Sequence, residues 1–578
     1  MSKSISKIQK MLSEKFGDKV QATLEDGCIR VTGELDNWDD VFAACNMAAT
    51  KNAKIHVVND IKFTGAEEQK MRVPSVKDTS LDGATPDVLV IGGGISGCAI
   101  ARELSKWNLD IMLVEKEADF ALQASGRNDG EVHVGVDLGK GSLKQKYVLL
   151  GNRMYDKVCK DLDVPFKRIG QYACFTQSWL FLPVFFLTQW RRFHDGVTDA
   201  RFVTRKKMLA DNPTFNKDFR FGMYNGLAGV VCPYGLTIAY AENAAENGVH
   251  AYLNTAVLDM DVENGKITAV KTNRGTIRPK IVINAAGVWA DKIAEMAHDR
   301  FYSIHPRRGT DSIQDKKASD IIDTVASVQH ISLKSTKGKP HSKGGGLMRT
   351  VHGNMLAGPD AVECYERENT ATTPESIKTV YDKQKQTVPA LSERNIITYF
   401  TGVRAPTFEE DFVIEWGRKC NNMLHCGGIQ SPGLTSAPAF AIDVAKMAVD
   451  ELAKTQEVTE NKDFNPIRHG VPTLNEMEPE ERAKYIAENP DYGVIICRCE
   501  EISKGEIIDC LNRPLCPPTV DAIKKRIRPG MGRCQGGFCS PLVTKIIAEH
   551  ENCKLSDVRK ASEEAVIVYG ETKGGAAK

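Results

Sequence analysis

Residues 87–107, DVLVIGGGISGCAIARELSKW, decide the fold of the larger part of this chain. An apolar strand runs into Gly92-x-Gly94-x-x-Gly97, an amphipathic helix follows, and the next apolar strand ends at Glu115. Gly92 permits a tight turn, Gly94 lets the main chain approach a pyrophosphate, and Gly97 lets the helix pack on the strand. N–H groups at the helix start bind phosphate, and the glutamate accepts hydrogen bonds from ribose hydroxyls. Because all these parts occur in register, the segment predicts a Rossmann-like βαβ unit that binds a dinucleotide.

A second apolar strand with small residues at its end occupies residues 280–291, KIVINAAGVWAD. A buried strand that ends in small residues allows its main chain to approach a cofactor. The run Ala286-Gly287-Val-Trp289 resembles the second FAD-contacting strand of the D-amino-acid oxidase and glycine oxidase superfamily. Because the catalytic region contains one GxGxxG run, this resemblance implies one dinucleotide, and it implies FAD rather than NAD.

Further segments resemble the same superfamily, in particular its FAD-dependent glycerol-3-phosphate dehydrogenase and L-2-hydroxyglutarate dehydrogenase branches. Residues 125–135, SGRNDGEVHVG, are similar to a run in the catalytic subunit of the anaerobic glycerol-3-phosphate dehydrogenase. Residues 136–138, VDL, differ from the Tyr or Arg-Tyr that follows in that family. Similar short runs are HPRRG at 305–309, GVRAP at 402–406 and HCGGIQSPGLT at 425–435. The resemblance implies that this last loop and the following helix face the flavin pyrimidine ring, where reduction builds negative charge.

The glycine run and the quoted segments together give the residues that are expected to contact FAD. These residues are Gly92, Gly94, Ile95, Ser96, Gly97, Glu115, Ser125, Arg127, Asn128, Ala286, Gly287, Trp289, Gly428, Gly433, Leu434 and Thr435.

Oxidation of a 2-hydroxy compound needs a base for the hydroxyl proton and a cation for an anionic group such as phosphate or carboxylate. We predict His133 as the base, with His305 as the alternative, because histidine titrates near neutral pH. Arg404 is predicted to bind the anion, since a guanidinium matches phosphate and carboxylate alike. Arg308 is predicted to lie near the flavin, against the substrate or the developing charge.

The cysteines are concentrated at the C-terminal end, where seven of the sixteen follow residue 496. Cys497-Arg-Cys499 and a glycine-rich run with Cys534 and Cys539 can bring four thiolates to one point. This pattern resembles the bacterioferritin-associated ferredoxin type of domain, which implies a [2Fe–2S] cluster held by these four residues. Zinc and a disulfide are the alternatives. A cluster passes one electron at a time, so it would carry electrons from a reduced flavin to an external acceptor.

The sequence as a whole predicts a chain of several units, and its fold class is α/β plus α+β. Residues 1–66 show an α-β-β-α-β pattern with a hairpin turn at Asp26-Gly27, and they resemble the BON module; a structural extension is the alternative. Residues 86–454 are the oxidoreductase unit, in which a Rossmann-like FAD-binding part and a substrate part are interleaved. Residues 455–491 are predicted to be a linker, and residues 492–569 are predicted to be the cluster domain.

Composition limits the partners and the location. A formal net charge of +1 gives no general attraction to nucleic acid or to an anionic surface. The sequence shows no secretory signal and no apolar run of spanning length, so it predicts a cytoplasmic protein. The apolar stretch 179–190 is expected either in the core or a subunit interface, or as a surface that meets a membrane or a partner subunit, with Arg191 and Arg192 at its rim. In the second case the protein is peripheral at the inner face of the cell membrane.

These features together predict an oligomeric dehydrogenase that oxidises a small anionic hydroxy substrate. The leading hypothesis for this substrate is sn-glycerol 3-phosphate, which would be oxidised to dihydroxyacetone phosphate. A 2-hydroxy acid such as L-2-hydroxyglutarate is a close alternative, and an amine or amino acid is a third. The electron acceptor is expected to be a protein or a quinone-linked subunit. A non-catalytic electron-transfer subunit is the alternative from a different class.

Overall fold

A computed structural model describes residues 4–51, 55–330 and 345–570 of the chain. The α-helices of these residues are α1 Ile5–Phe16, α2 Trp38–Ala48, α3 Ile95–Leu104, α4 Leu143–Asp161, α5 Phe181–His194, α6 Arg205–Asp211, α7 Pro233–Glu246, α8 Ala290–Met296, α9 Pro374–Gln384, α10 Gly433–Leu452, α11 Pro479–Glu488, α12 Lys504–Leu511, α13 Val520–Ile527 and α14 Ser540–His550. The strands are β1 Val20–Glu25, β2 Cys28–Leu35, β3 Val57–Phe63, β4 Val88–Ile91, β5 Ile111–Val114, β6 Glu131–Val132, β7 Phe166–Arg168, β8 Gln171–Phe175, β9 Ala200–Thr204, β10 Phe221–Asn225, β11 Gly229–Val231, β12 His250–Tyr252, β13 Val257–Glu263, β14 Lys266–Thr272, β15 Gly275–Ile277, β16 Ile281–Asn284, β17 Arg307–Gln314, β18 Val325–Gln329, β19 Gly346–Arg349, β20 Met355–Gly358, β21 Val362–Glu363, β22 Ile396–Arg404, β23 Val413–Trp416, β24 Met423–Gly427, β25 Ile495–Cys497 and β26 Ile502–Ser503.

The N-terminal unit has the α-β-β-α-β order that its sequence predicts. Ser4 caps α1 by accepting a hydrogen bond from the N–H of Lys7. Asp26 and Gly27 both have positive φ, as a tight hairpin between β1 and β2 requires. Strands β1 and β2 are antiparallel, and β3 pairs with β2 in parallel, so α2 makes the crossover. This unit has its own apolar core between the sheet and the two helices.

The cofactor-binding half of the catalytic unit is a six-stranded sheet in the order β12-β5-β4-β16-β24-β23. All neighbouring pairs are parallel except β23 with β24. Strands β4, β5 and β16 are buried on both faces, which explains why their sequences are continuous apolar runs. Helices α3, α7 and α10 pack on this sheet through a large apolar core.

The other half of the catalytic unit is a nine-stranded sheet in the order β21-β17-β20-β19-β18-β8-β10-β9, with β22 paired to β17. Its strands come from residues 171–404, whereas the strands of the six-stranded sheet come from residues before, between and after them. The chain therefore crosses between the halves several times, as the interleaved arrangement predicts. Smaller sheets, β6-β11-β7 and β13-β14-β15, lie beside these two.

The C-terminal unit, β25 to α14, is joined to the catalytic unit by a buried group of charged residues. Glu242 is fully buried on α7, and its carboxylate accepts hydrogen bonds from Arg468 at 2.8 Å and from Arg513 at 2.7 Å. Arg526 of α13 forms a two-point ion pair with Asp119, at 2.8 and 3.0 Å. Because Arg468 lies in the predicted linker, that segment is packed on the catalytic unit.

No helix in the described parts of the chain has both the length and the apolar character needed to cross a membrane.

Candidate active site

A cavity of about 830 Å³ lies where the two halves of the catalytic unit meet. Its floor is formed by Gly92 after β4, by Ala285 after β16 and by Gly433 at the start of α10. Gly92 and Ala285 are at the carboxyl ends of neighbouring parallel strands, where ligands bind in open α/β sheets. Strands β8, β17 and β22 of the nine-stranded sheet supply the opposite wall.

The glycine run has the geometry that a dinucleotide requires. Gly92 has φ of +110°, and a Cβ atom there would lie 2.5 Å from the Ala285 carbonyl oxygen. A Cβ atom at Gly97 would lie 1.9 Å from the Gly92 carbonyl oxygen, so only glycine lets α3 pack this close to β4. Gly97 therefore acts through packing and does not line the cavity, whereas Gly92 and Gly94 line it.

Two helix N-termini are directed at the same cavity. The N-cap residue of α3 is Gly94 and that of α10 is Pro432, and neither caps its helix with a side chain. Ile95, Gly433 and Leu434 from the first turns line the cavity. Helix N-termini carry partial positive charge, so both favour anionic groups such as a pyrophosphate or a reduced flavin ring.

Glu115 lies at the end of β5 and lines the cavity. Its carboxylate accepts hydrogen bonds from the N–H groups of Gly93 at 2.5 Å and Glu117 at 2.8 Å, which fix its orientation. Burial raises the pKa of Glu115. The uncapped helix ends, the glycine cradle and this acid together fit the adenosine and pyrophosphate parts of FAD.

His133 lies in the cavity wall directly after β6. Its main-chain N–H donates a hydrogen bond to Thr435 Oγ1 at 3.0 Å. Its Nδ1 lies 3.3 Å from Glu131 Oε1, and its Nε2 lies 3.2 Å from Ser431 Oγ. The ring is therefore held at both nitrogens, by a carboxylate on one side and by a hydroxyl from the loop before α10 on the other.

The two adjacent arginines of β17, Arg307 and Arg308, differ in whether they line the cavity. Arg307 lines the cavity, and Arg308 does not. Successive side chains of a strand point to opposite faces, so only one of the pair can enter the cavity. Arg307 Nε pairs with Glu363 at 2.5 Å, and its guanidinium also contacts Glu410 at 2.7 Å. Arg308 therefore lies on the face of β17 away from the cavity, and its proximity to the flavin or substrate stays a prediction.

Arg404 lines the cavity as predicted, and it lies opposite Arg307 across the β17–β22 pair. Its guanidinium donates hydrogen bonds to the carbonyl oxygens of Asp360 at 3.2 Å and Arg308 at 3.3 Å. Burial lowers its pKa. A Cβ atom at Gly309 would lie 2.0 Å from Arg404 Nη2, so this glycine provides the space in which the guanidinium lies.

Polar cavity residues that the sequence analysis missed include Lys144, Glu131, Asp311, Glu410 and Gln430. Burial lowers the pKa of Lys144 to about 8, and its Nζ lies 3.8 Å from Glu410 Oε2. Burial and the nearby Asp129 raise the pKa of Asp311 well above its usual range. Asp311 lies within β17, a strand that mixes apolar and polar residues, so no local motif marks it.

Three other predicted site residues lie outside the cavity wall. His305 is buried, with Nδ1 at 2.8 Å from Glu363 and Nε2 at 3.2 Å from the Thr407 carbonyl oxygen, and its ring packs against Phe42 and Phe408. His305 therefore does not line the cavity, and its role as the alternative base stays a prediction.

Thr435 and Gly428 also do not line the cavity. Thr435 is fully buried and supports the His133 segment through its hydroxyl. Gly428 has φ of +67° and forms the turn after β24. The other residues predicted to contact FAD, apart from Gly97, all line the cavity.

The four predicted cluster cysteines lie in two pairs. The Sγ atoms of Cys499 and Cys534 are 3.7 Å apart. Cys497 and Cys539 form the second pair, and a hydrogen bond from the Cys539 thiol lowers the pKa of Cys497 to about 6. The described residues contain no group of three or more His, Cys, Asp or Glu arranged to hold a single metal ion. Two pairs of thiols are the donor set that a two-iron cluster takes, one pair for each iron.

Glycine-rich loops surround these cysteines. A Cβ atom at Gly532 would lie 2.2 Å from Cys499 Cβ, and Gly530 and Gly536 both have φ of +88°. The main-chain N–H of Gly530 is directed at Cys497, and that of Gly536 is directed at Cys534. N–H groups in these positions stabilise thiolates and tune the potential of a bound cluster.

Tyr234 of α7 connects the cysteine loop to the cavity wall. Its hydroxyl lies 3.2 Å from Met531 Sδ and accepts a hydrogen bond from Arg528 at 3.2 Å. On the other side, Tyr234 Cβ would lie 3.6 Å from a Cβ atom at Gly126, whose neighbours Ser125 and Arg127 line the cavity. Tyr234 therefore lies between the loop that carries the cysteines and the segment that carries Ser125 and Arg127.

Comparison with known proteins supports both cofactors. The model of the FAD dependent oxidoreductase family (DAO) matches residues 87–447, and the model of the BFD-like [2Fe-2S] binding domain matches residues 495–549. A glycerol 3-phosphate dehydrogenase from Caloramator mitchellensis is 37% identical over 490 residues, which cover 84% of this chain and 99% of that protein.

One subunit of the anaerobic glycerol-3-phosphate dehydrogenase from Escherichia coli is 22% identical over 510 residues, covering 79% of this chain and 87% of that protein. Among solved structures, the dithionite-reduced L-alpha-glycerophosphate oxidase from Mycoplasma pneumoniae with FAD bound has a TM-score of 0.60 and 26% identity. That similarity covers 66% of this chain and 98% of the oxidase. The chain therefore belongs to the family of FAD-dependent oxidoreductases of the DAO type, and it carries a BFD-like [2Fe–2S] domain at its C-terminal end.

Proposed function

We propose that the chain oxidises sn-glycerol 3-phosphate to dihydroxyacetone phosphate and passes the electrons through its cluster to a separate acceptor. The observation that carries this proposal is the presence of His133, Arg404 and Lys144 together in the wall of the cavity that fits FAD. A base for a hydroxyl group and cations for a phosphate are the two requirements of the reaction. The similarity to the Caloramator dehydrogenase over most of the chain supports the same substrate.

His133 is proposed as the base of this reaction. Its Nε2 atom, which faces Ser431, would accept the proton of the substrate C2 hydroxyl. Glu131, 3.3 Å from Nδ1, would orient the ring and stabilise the imidazolium that forms. When bound, FAD supplies the acceptor for the hydride that leaves C2. Thr435 holds the His133 main chain, so the base is placed by the helix whose N-terminus faces the cavity.

Arg404 is proposed as the main anion-binding residue, and Lys144 as its helper. Arg307 is already neutralised by Glu363 and Glu410, whereas the Arg404 guanidinium donates its hydrogen bonds to main-chain carbonyl oxygens. Burial and the nearby Asp129 raise the pKa of Asp311, so this neighbouring carboxyl neutralises Arg404 less readily than an ordinary aspartate would. A pKa of about 8 keeps Lys144 mostly charged at pH 7.

We propose that FAD is held by the cavity residues predicted from the sequence, and that Cys497, Cys499, Cys534 and Cys539 hold the cluster. The cluster would pass electrons to a partner protein or a quinone-linked subunit. Phe538 is 84% exposed beside Cys539, and Cys499 is also exposed, so a partner could approach the cluster here. The Escherichia coli relative is named as one subunit of its enzyme, which supports an assembly with other chains.

The N-terminal unit is proposed to be a BON-like module in a cytoplasmic protein. The observed α-β-β-α-β order and the parallel pairing of β2 with β3 support the resemblance. The module is docked on the catalytic unit, where Phe42 packs against Phe408 and the N–H of Val57 donates to Glu409. Its proposed role is to brace residues 404–411, the segment that follows β22.

An anaerobic titration tests the substrate. Glycerol 3-phosphate, L-2-hydroxyglutarate and an amino acid would each be added to the FAD-loaded protein while the flavin absorbance is recorded. We expect rapid bleaching with glycerol 3-phosphate alone. Bleaching by L-2-hydroxyglutarate alone would assign Arg404 to a carboxylate and replace the proposed substrate. No bleaching by any of them would favour an electron-transfer subunit without its own substrate.

A further inference from the structure

Residues 179–194, here called the aromatic segment, end at the last residue of α5 and present apolar side chains to solvent. Eight large apolar side chains of this segment are exposed among the residues that the structure describes. They are Trp179, Phe181, Leu182, Phe185, Phe186, Leu187, Trp190 and Phe193. Leu182, Phe186 and Phe193 are each more than 60% exposed. A patch of this size and composition marks an interaction surface.

The segment is firmly attached to the protein by its opposite face. Leu180, Val184 and Thr188 recur every four residues and are buried. Aromatic contacts join α5 to the strands beneath it, with Phe181 4.9 Å from Phe202 between ring centroids. The exposed side chains are therefore held outward by the fold and not by a loose end of the chain.

The formal charges within the aromatic segment are all positive. Residues 176–194 contain no Asp or Glu. Arg191 is paired with Asp195 at 2.9 Å, but Arg192 is exposed beside Phe193. Lys140 reaches the end of α5, where it donates to the His194 carbonyl oxygen and lies 3.8 Å from Asp195, while its side chain stays 69% exposed. This basic rim is complementary to an anionic surface.

We propose that the aromatic segment docks the protein on the surface of a lipid bilayer that contains anionic lipids. A helix of 14 residues is about 21 Å long, too short to cross a hydrocarbon core of about 30 Å. It would instead lie along the interface, with Phe and Leu side chains among the acyl chains. The tryptophans at residues 179 and 190 and the basic rim would lie at the headgroups. A protein partner would need acidic groups to match the rim, and a second copy of this surface would oppose it with the same positive charge.

Docking of this kind would orient the active site. Leu187 is exposed, and it also lines the cavity. The cavity wall and the docking surface thus share a residue, so the side of the cavity near α5 would face the headgroups. The proposal is independent of the substrate, because it concerns a surface that no catalytic residue occupies.

The test is co-sedimentation of the full-length, cofactor-loaded protein with phosphatidylcholine vesicles, prepared with and without phosphatidylglycerol. We expect binding to the anionic vesicles that weakens with added salt. Leu182→Ser with Phe186→Ser should reduce the partition coefficient by about 100-fold, since each side chain loses about tenfold or more. Brominated lipids should quench tryptophan emission, and Trp190→Phe should remove much of that quenching.

The matched control is Leu24→Ser with Leu258→Ser, which removes two exposed leucines outside α5 and should leave binding unchanged. Flavin content and anaerobic flavin bleaching in solution should be the same in both double variants and in the parent protein. Equal loss of vesicle binding in the control, or no binding of the parent protein to anionic vesicles, would overturn the proposal. A third outcome would also overturn the proposal: the parent protein does not bind vesicles, and the Leu182/Phe186 variant has a different oligomeric state. The occupant of the aromatic segment would then be a second copy of the chain.

Discussion

The flavin cavity and the cysteine site are built in different ways, although both bind a redox group. Polar residues of the cavity come from both large sheets, with Glu115 after β5 of the six-stranded sheet and Arg404 at the end of β22 of the nine-stranded sheet, and they meet only when the two sheets pack together. The four cysteines lie within residues 497–539, on loops whose glycines set the local path. A local site can be recognised from spacing, whereas a site made by packing depends on which face each side chain takes.

The sharpest test of this comparison removes one site and leaves the other. Cys534→Ser should abolish electron transfer to the acceptor, because a hydroxyl is a poor replacement for a cluster thiolate. Flavin bleaching by the substrate should stay intact. Stopped-flow absorbance at the flavin band and EPR of the reduced cluster would follow the two events separately. Loss of both signals would mean that the two sites depend on each other to fold.

The next largest effect is expected at the base. His133→Asn keeps a polar side chain of similar size but removes the titrating ring, so the rate of flavin bleaching should fall by about 10²–10⁴-fold. Bound flavin and cluster content should not change. The control is His305→Asn, which lies outside the cavity and should leave the bleaching rate within a few-fold. An unaltered rate in the His133 variant would remove it from the proposed mechanism.

The two arginines of β17 provide a third test, this time of stability. Arg307→Ala removes the buried cation that Glu363 and Glu410 share, and it should cost about 3–5 kcal/mol of unfolding free energy. Arg308→Ala should cost less than about 1 kcal/mol, in line with a residue outside such a network. Chemical denaturation of the catalytic unit measures both. Equal costs would contradict the assignment of the faces of β17.

The smallest expected effect concerns pH and the joint between the N-terminal module and the catalytic unit. His56 is buried there; burial acts to lower its pKa, but hydrogen bonds to Glu409 and Glu415 outweigh it and raise the pKa to about 9. A raised pKa in the folded state stabilises the protein fully below the unfolded value of about 6.5, and this stabilisation is lost as the pH rises through 9.

The loss should amount to roughly 1–2 kcal/mol, because Glu415 is partly exposed and screened. Thermal unfolding of the parent protein and of His56→Gln, measured between pH 6 and 10, provides the test. The parent should lose stability across this range more steeply than the variant. Parallel curves would show that His56 does not titrate in this way.

Much of the fold could be predicted from the sequence because strong local patterns agreed with it. The glycine run predicts β4 and α3, the pair Asp26-Gly27 predicts a hairpin, and residues 5–16 predict a helix. The structure has each of these elements. His133 and Arg404 lie where their motifs predict them, in the cavity wall. Each of these features depends on a few neighbouring residues.

The position of the other site residues could not be predicted from their local sequence. Arg307 and Arg308 are identical in type and adjacent, so the sequence alone does not show which one faces inward. His305 belongs to the same segment but pairs with Glu363 and packs against the N-terminal module, a contact between residues that are far apart in the chain. Lys144 lies in the first turn of an ordinary helix after a Ser cap, and nothing nearby indicates that its amine is buried in a cavity.

The buried carboxylate of Glu242 has a consequence for how the cluster domain moves. Three arginines, from the predicted linker and from the cluster domain, converge on it, and a further ion pair with Asp119 lies beside them. Breaking such a network leaves an uncompensated buried charge, so the domain is fixed in place and does not swing between donor and acceptor. The rate of internal electron transfer should therefore be insensitive to solvent viscosity.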